Sequence, residues 1–471
     1  MMVNAQDLLK SKFGFNSFKL GQAEAIKSLH ENQNTMAILP TGAGKSLIYQ
    51  LYGYQTQKPV IIISPLLSLM EDQVDRIHYQ GEKRVVALNS NYDRQHKQKI
   101  LNNLNHFRYI FISPEMILQP EVISKLVNID VGLFVIDEAH CISKWGIDFR
   151  PEYLSLKIII QRLQNPKVLM LTATASIKVQ DDIINKLNLK SVNKIVKSVN
   201  RSNIFLGLQK TANDLDKQEY LISAITQMVG PGIIYFSSKR VANLIADMIN
   251  TSTDLRAAAY HSDLSKEDRF KIQHQFMDDN LQIVCATNAF GMGIDKNNIK
   301  FVIHYHMPQD IESYVQEIGR AGRDGSKAIA ILMYSPGDEY IAKNLIEQSI
   351  PNTEDLFNYQ TNQRALIPDN IKELLDYYHQ NHYSSNDIVT IFEQELKQKQ
   401  NELDKLLKYI FCNDCRRKAL LKNFDEQYNN HDENCCNQND EPINLSNFKG
   451  NEDFKIKSLK SWQDIMSGLF N

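Results

Sequence analysis

A lysine followed by a serine, closing a glycine-rich run, can hold a polyphosphate. LPTGAGKS occupies Leu39–Ser46, after the strand-like TMAILP and before the helix-like LIYQLYGYQ. In that setting loop amides and a helix N-terminus converge on phosphate. Gly42 and Gly44 let the backbone approach closely, and Thr41 and Ala43 complete the run. Lys45 brings a full positive charge to the β and γ phosphates of ATP, and Ser46 offers a hydroxyl to Mg²⁺. Leu39 stands where the strict pattern has glycine, so the motif is met in part.

Asp137–His140 reads DEAH and ends the apolar run GLFVI. Asp137 therefore falls at the C-terminal tip of a strand, where parallel sheets bind ligands. Asp137 can hold Mg²⁺ through water, Glu138 can polarise an attacking water, and His140 completes this catalytic group. Taken alone, solvated carboxylates at a strand end would be the better reading. The upstream LPTGAGKS reverses that preference. A third element, QEIGRAGRDG at Gln316–Gly325, carries Arg320 and Arg323. Three residues apart, they share a face if the segment is a helix. Paired guanidiniums suit a γ-phosphate whose charge spreads in the transition state, and such an arginine is worth about 10³–10⁵ in rate. The competing reading is a basic helix face paired with Glu317 and Asp324. Lying in a later domain, these arginines make domain closure part of catalysis, which turns hydrolysis into motion.

These residues need a scaffold, and the chain supplies one. Short β-rich runs (TMAILP, VIIISP, YIFISP, LFVID, VLMLTAT) alternate with polar helical segments. That alternation reads as a parallel sheet with crossover helices. It weakens near Leu187–Asn203, restarts at GIIYFSS, and gives way from Glu339 to long helical patterns. The expected division is 1–207, 208–338, a helical subdomain 339–428 and a polar tail 429–471. Length and composition agree: 471 residues, 43% hydrophobic and 23% charged, make an ordinary multidomain globular chain. A net charge of −2 offers no global field for nucleic acid, so any such path must be local. Six cysteines are too few for a disulfide scaffold. Residues 1–12 lack the apolar core of a signal peptide, and VIIISPLLSLM is too short to span a bilayer. The expectation is a cytoplasmic protein with no membrane partner.

With these elements in order, the chain resembles superfamily 2 helicases, and specifically the RecQ family of DNA helicases, over about Phe13–Asp338. The most specific piece is DEAHCISKWGIDFRPEY, Asp137–Tyr153, which looks like the family's aromatic-rich loop. FGFNSFKLGQ, Phe13–Gln22, is similar to the adenine-reading segment, where Gln22 would pair with the base edge and Phe15 would stack near it. Lys19 stands where the family usually has Arg. SPLLSLMEDQ, TAT (Thr172–Thr174) and ATNAFGMGIDK match in order, and the resemblance gives Asp295 a part in nucleotide binding. Trp145 and Phe149 can stack on unpaired bases, each worth about 1–3 kcal/mol, and Arg150 can pair with phosphate. The loop directly follows His140, so stacking can pull on the catalytic segment and couple DNA to hydrolysis. Ile147 replaces a His common in relatives, so a polar contact there is lost. His261, after AAAY, matches a segment that often touches the nucleic-acid backbone, although a lone His after a strand is more often structural. The fold implied is α/β: two tandem RecA-like parallel-sheet domains followed by a helical, candidate zinc-binding C-terminal subdomain.

In that subdomain CRRKALLKNF, Cys415–Phe424, resembles the start of the family's zinc region. Only Cys435 and Cys436 follow it, and Cys412 lies three residues before Cys415. Cys412, Cys415, Cys436 and either Cys435 or His431 are the residues from which a tetrahedral Zn²⁺ site could be drawn. A degenerate site held by packing alone is the preferred expectation, because adjacent cysteines rarely ligate one metal in good geometry. IKELLDYYHQNH and SSNDIVTIFEQEL read as an added helical pair, with Ser385 or Ser384 as a cap. About 35 residues follow Cys436, too few for a winged helix or terminal accessory domain. The resulting expectation is an ATP- and Mg²⁺-dependent DNA helicase. It would act on single-stranded and forked DNA as a monomer, with a single-strand-binding protein as a partner. The competitors are an RNA helicase and a non-catalytic strand-annealing or single-strand-binding protein.

Overall fold

The computed structural model describes residues 5–65, 67–89, 92–143, 151–228, 230–287, 290, 296–439 and 441–448. The chain divides into two units. One contains 1–200, 346–400 and 423–426; the other contains 201–345, 401–422 and 427–471.

The first unit is built on seven parallel strands: β1 (Asn34–Ile38), β2 (Val60–Ile63), β3 (Val85–Leu88), β4 (Tyr109–Ile112), β5 (Leu133–Ile136), β6 (Val168–Thr172) and β7 (Val192–Val196). Their order across the sheet is β3-β4-β2-β5-β6-β1-β7. Strands buried on both faces must be apolar throughout, which explains runs such as VIII and LFVI. Side-chain alternation splits each run between two cores. Met36, Ile38, Ile61 and Ile63 face one core, and Ala37, Val60 and Ile62 face the other.

The second unit carries six parallel strands: β8 (Ile204–Lys210), β9 (Gly232–Tyr235), β10 (Ala257–Tyr260), β11 (Ile283–Ala286), β12 (Phe301–His304) and β13 (Ala328–Tyr334). Their order is β10-β11-β9-β12-β13-β8. The expected boundary at 207 moves to 200, because all of β8 pairs with β13, from Ile204 against Ala328 to Lys210 against Tyr334.

The stretch 339–428 is not a separate body. Residues 346–400 pack with the first unit and 401–422 with the second. The added helical pair is present as Asp369–Gln380 and Ser385–Ile410. It has its own small core of Ile350, Ile367, Ile371, Leu375, Tyr378, Ile388 and Phe392. Ser384 is the residue that caps the longer helix: its hydroxyl accepts from the Asp387 amide at 3.2 Å. Among the described residues no helix is long and apolar enough to cross a membrane.

Candidate nucleotide site, arginine turn and metal cluster

In the first unit, β1, β6 and β5 are neighbours in that order, and the loops at their C-terminal ends carry the site. The phosphate loop follows β1 and enters helix Ser46–Thr56. Gly42 and Gly44 have φ of 82° and 71°, a region in which side chains are strained. A Cβ on Gly44 would lie 2.8 Å from the Gln22 amide nitrogen. Gln22 donates to the carbonyls of Ala43 and Gly44, both at 2.9 Å, and accepts from the Lys19 amide at 2.8 Å. Lys19 Nζ donates to Gly42 O at 2.8 Å, and Lys45 Nζ to Leu39 O at 3.4 Å. Gln22, expected at the base edge, and Lys19 therefore rest on the phosphate loop itself. Phe15, nearby in sequence, is exposed.

Asp137 directly follows β5, as expected from GLFVI. Burial, and then the Glu138 charge, push its carboxyl up to about 7, with Lys45 opposing. Glu138 has φ 47°, a strained backbone for a non-glycine residue. His140 lies 3.3 Å from the Glu138 carboxylate. Thr172, which ends β6, sends its own proton to Thr174 O at 3.1 Å. Its hydroxyl must therefore accept from His140 Nδ1, at 3.0 Å. Burial works against a charged His140, yet the Cys141 sulfur and Glu138 raise its pKa well above the ordinary histidine value. Tyr153 donates to Asp137 O at 3.4 Å, and the Tyr49 phenol, raised by burial and by Asp137, meets Ser46. The sequence assigns no role to Thr172, Tyr153 or Tyr49, although the matched segments TAT and Asp137–Tyr153 contain the first two. Ser46 and Asp137 offer the hard oxygen donors that suit Mg²⁺, Asp137 standing half-buried at the tip of β5. Trp145, Ile147, Phe149, Arg150 and Asp295 lie outside the described residues.

In the second unit, helix Ile311–Ile318 ends with Gly319 as its cap. Arg320 and Arg323 thus lie in a turn beyond the helix, not on a shared helix face, and Gly322 in that turn takes φ 55°. Glu317 and Asp324 also have partners of their own. Glu317 bonds His304 at 2.7 Å, and Asp324 accepts from Ser326 and approaches Lys300. The Tyr235 phenol hydrogen-bonds Arg320 and stacks on His304. His261 is buried and hydrogen-bonded to Asn243, which fits a structural role.

The cysteine set is corrected by the structure. Cys415, His431, Cys435 and Cys436 bring their ligand atoms within 4.8 Å of one another. Cys412 is not among them; its thiol approaches Asp414 O at 3.8 Å instead. Zn–S bonds of about 2.3 Å in a tetrahedron put sulfurs about 3.8 Å apart. Cys415 lies 3.5 Å from Cys435 and 3.7 Å from Cys436, and Cys436 lies 3.8 Å from His431 Nδ1. The donor set and spacing therefore fit Zn²⁺. A hydrogen bond from Cys436, then the Arg417 guanidinium, lower the Cys435 thiol below the ordinary cysteine range. The segment lies along the free edge of β8. Leu206 N donates to Cys435 O at 3.1 Å, and Leu208 N to the Asn437 side chain at 2.9 Å.

Residues 19–183 match the DEAD/DEAH box helicase family, and residues 216–325 the helicase conserved C-terminal domain. The chain is 39% identical to the "Probable ATP-dependent DNA helicase RecS" of Bacillus subtilis (strain 168), over 100% of its own length and 98% of that protein. The chain belongs to the RecQ family of superfamily 2 helicases. It is an ATP-dependent helicase with two RecA-like domains. The RecQ family member "ATP-dependent DNA helicase RecQ" of the same organism is also 39% identical, over 80% of this chain but 63% of that one. Among solved structures, the DEAD-box helicase Mss116 bound to single-stranded RNA and UDP-BeF aligns with a TM-score of 0.60. It shares 18% identity and covers 86% of this chain and 93% of its own, a likeness of fold alone.

Proposed function

We propose that this RecQ-family chain is an ATP-dependent DNA helicase that tracks 3′ to 5′ along single-stranded DNA and opens duplexes in recombination and repair. The observation that carries the reading is the meeting of the phosphate loop, Asp137–His140 and Thr172 at three adjacent strand ends. It occurs in a chain whose full length matches a named DNA helicase. Lys45 neutralises the β and γ phosphates, and Thr41–Gly44 supply amides around them. Phe15, Lys19, Gln22 and Asp295 hold the nucleotide. Ser46 and Asp137 would hold Mg²⁺, which screens phosphate charge when bound. Glu138 orients and deprotonates the attacking water, and His140 fixes Glu138 and reports to Thr172. Arg320 and Arg323 stabilise the spreading γ-phosphate charge. Trp145, Phe149 and Arg150 read single-stranded DNA. Cys415, His431, Cys435 and Cys436 would hold a structural Zn²⁺.

The protein acts as a monomer in the cytoplasm, on single-stranded and forked DNA, with a single-strand-binding protein as partner. Six unpaired cysteines suit a reducing compartment. Strand separation on forked DNA with ATP, beside Lys45→Ala and an RNA duplex, tests the reading. ATP-dependent opening of DNA, lost in Lys45→Ala, is expected. Opening of RNA alone would make it an RNA helicase, and activity unaffected by Lys45→Ala would make it a strand-annealing protein.

A further inference from the structure

The turn that carries Arg320 and Arg323 is held by side chains from elsewhere. Arg201 donates Nη1 to Gly319 O at 3.2 Å, and Nη2 to Ala321 O at 3.3 Å and Gly322 O at 2.6 Å. Asn203 donates its amide to Gly322 O at 2.9 Å and to Ser326 O at 2.8 Å. Arg201 Nε in turn donates to Asn203 Oδ1 at 3.3 Å, which locks the two donors together. A guanidinium is here spent on backbone carbonyls, which ties the turn's path to one geometry. Gly322 makes room for it: a Cβ there would lie 2.5 Å from the Asn203 amide nitrogen.

Both donors stand just before β8, and the same stretch is gripped from its other side. Arg417 is buried. It donates Nη1 to Arg201 O at 2.9 Å, and Nη2 to Ile204 O and, at 3.2 Å, to Cys435 O. Its Nε donates to the Cys435 sulfur at 3.4 Å. An unbroken path of hydrogen bonds therefore runs from the cysteine cluster, through Arg417 and the 201–204 backbone, to the carbonyls of the arginine turn. The whole path lies in one unit.

We propose that Arg201 and Asn203 are positioning residues for Arg320 and Arg323, and that Arg417 ties this clamp to the cysteine cluster. The clamp sets the arginine turn, and the cluster sets the clamp. This rests on the reading of Arg323 as a residue that meets the γ-phosphate. Arg201→Lys keeps the charge but loses the fork that spans three carbonyls. Asn203→Ser removes both amide bonds and shortens the side chain.

The test uses the whole chain as purified. DNA-stimulated ATP turnover, affinity for a fluorescent ATP analogue, metal content and amide exchange over residues 319–325 are measured for Arg201→Lys, Asn203→Ser, Arg417→Lys, Arg323→Ala and the double variant Arg201→Lys/Arg323→Ala. Misplacing a catalytic group by about 1 Å costs about 10²-fold. Turnover by Arg201→Lys and Asn203→Ser is therefore expected to fall by about that factor, with analogue affinity within about twofold of the parent. The double variant should fall no further than Arg323→Ala alone, since residues acting as a unit are not additive. Amide exchange at 319–325 should quicken in all three clamp variants, and in Arg417→Lys with metal retained. Unchanged turnover and exchange in both Arg201→Lys and Asn203→Ser would overturn the clamp, as would losses that multiply in the double variant. Unchanged exchange in Arg417→Lys would overturn the tie. Full turnover by Arg323→Ala would instead sink the arginine reading, leaving exchange to judge the clamp. Should Arg201→Lys fail to fold, Asn203→Ser carries the test.

Discussion

The phosphate loop of the first unit and the cysteine cluster of the second reach their order by different physics. The loop is a local object. Its two left-handed glycines, the helix behind it and the strand before it are consecutive in the chain, and Gln22 and Lys19 brace its carbonyls. The cluster is a long-range object. Cys415 opens helix Arg416–Lys422, His431 and Cys435–Cys436 come later, and they meet where the chain returns to the edge of β8. The core of the first is one consecutive run braced by two side chains, whereas the second gathers separate residues against a sheet edge. The loop should therefore fail chemically when altered and the cluster should fail structurally.

The largest effect expected is on the loop. Lys45→Ala should lower ATP turnover by at least about 10³-fold, the scale on which phosphate-facing charges act, with metal content and melting temperature unchanged. A comparable loss of bound metal would break the comparison. The cluster should give the mirror result. His431→Ala should cost more metal affinity than the 10–100-fold that outer contacts typically carry, and should lower the melting temperature, because metal binding there is folding free energy. Metal titration beside thermal melting checks this; full metal retention would remove His431 from the ligand set.

A smaller effect is expected at the link between strand ends. Thr172→Val removes the acceptor of a hydrogen bond from His140. Bonds to charged groups are worth about 1.5–3 kcal/mol, so turnover should fall roughly 10- to 100-fold without loss of nucleotide affinity. Steady-state kinetics decide it, and a rise in KM alone would mean the contact serves binding. The smallest change sharpens the comparison by doing nothing. Cys412→Ser should leave metal content intact and stability within about 0.5 kcal/mol, since Cys412 lies outside the cluster.

What could be read from the sequence follows the same divide. Strand runs, the loop after β1 and Asp137 at the tip of β5 are set by nearest neighbours, and period and punctuation reveal them. The spacing of Arg320 and Arg323 fits a shared helix face, but the helix ends at Ile318 and they lie in the turn beyond it. The carbonyls of that turn accept from Arg201 and Asn203, more than a hundred residues earlier. Cys412 drew attention through its CxxC spacing with Cys415, while His431 has no spacing signal of its own. The boundary slipped from 200 to 207 because Ile204–Lys210 reads as a tail of the first domain until its pairing with β13 is known. The roles of Thr172, Tyr153 and Tyr49 likewise come from which strands are neighbours, and strand order is not written in periodicity.

The central claim is that nucleotide chemistry in this chain is driven by DNA. Its most direct measurement is the rate of ATP hydrolysis by the purified protein as single-stranded DNA is titrated in, with Trp145→Ala and single-stranded RNA alongside. Saturable stimulation by DNA, little by RNA, and loss of stimulation with retained basal turnover in Trp145→Ala are expected. A rate that is the same with and without DNA, or DNA stimulation undiminished in Trp145→Ala, would contradict that claim.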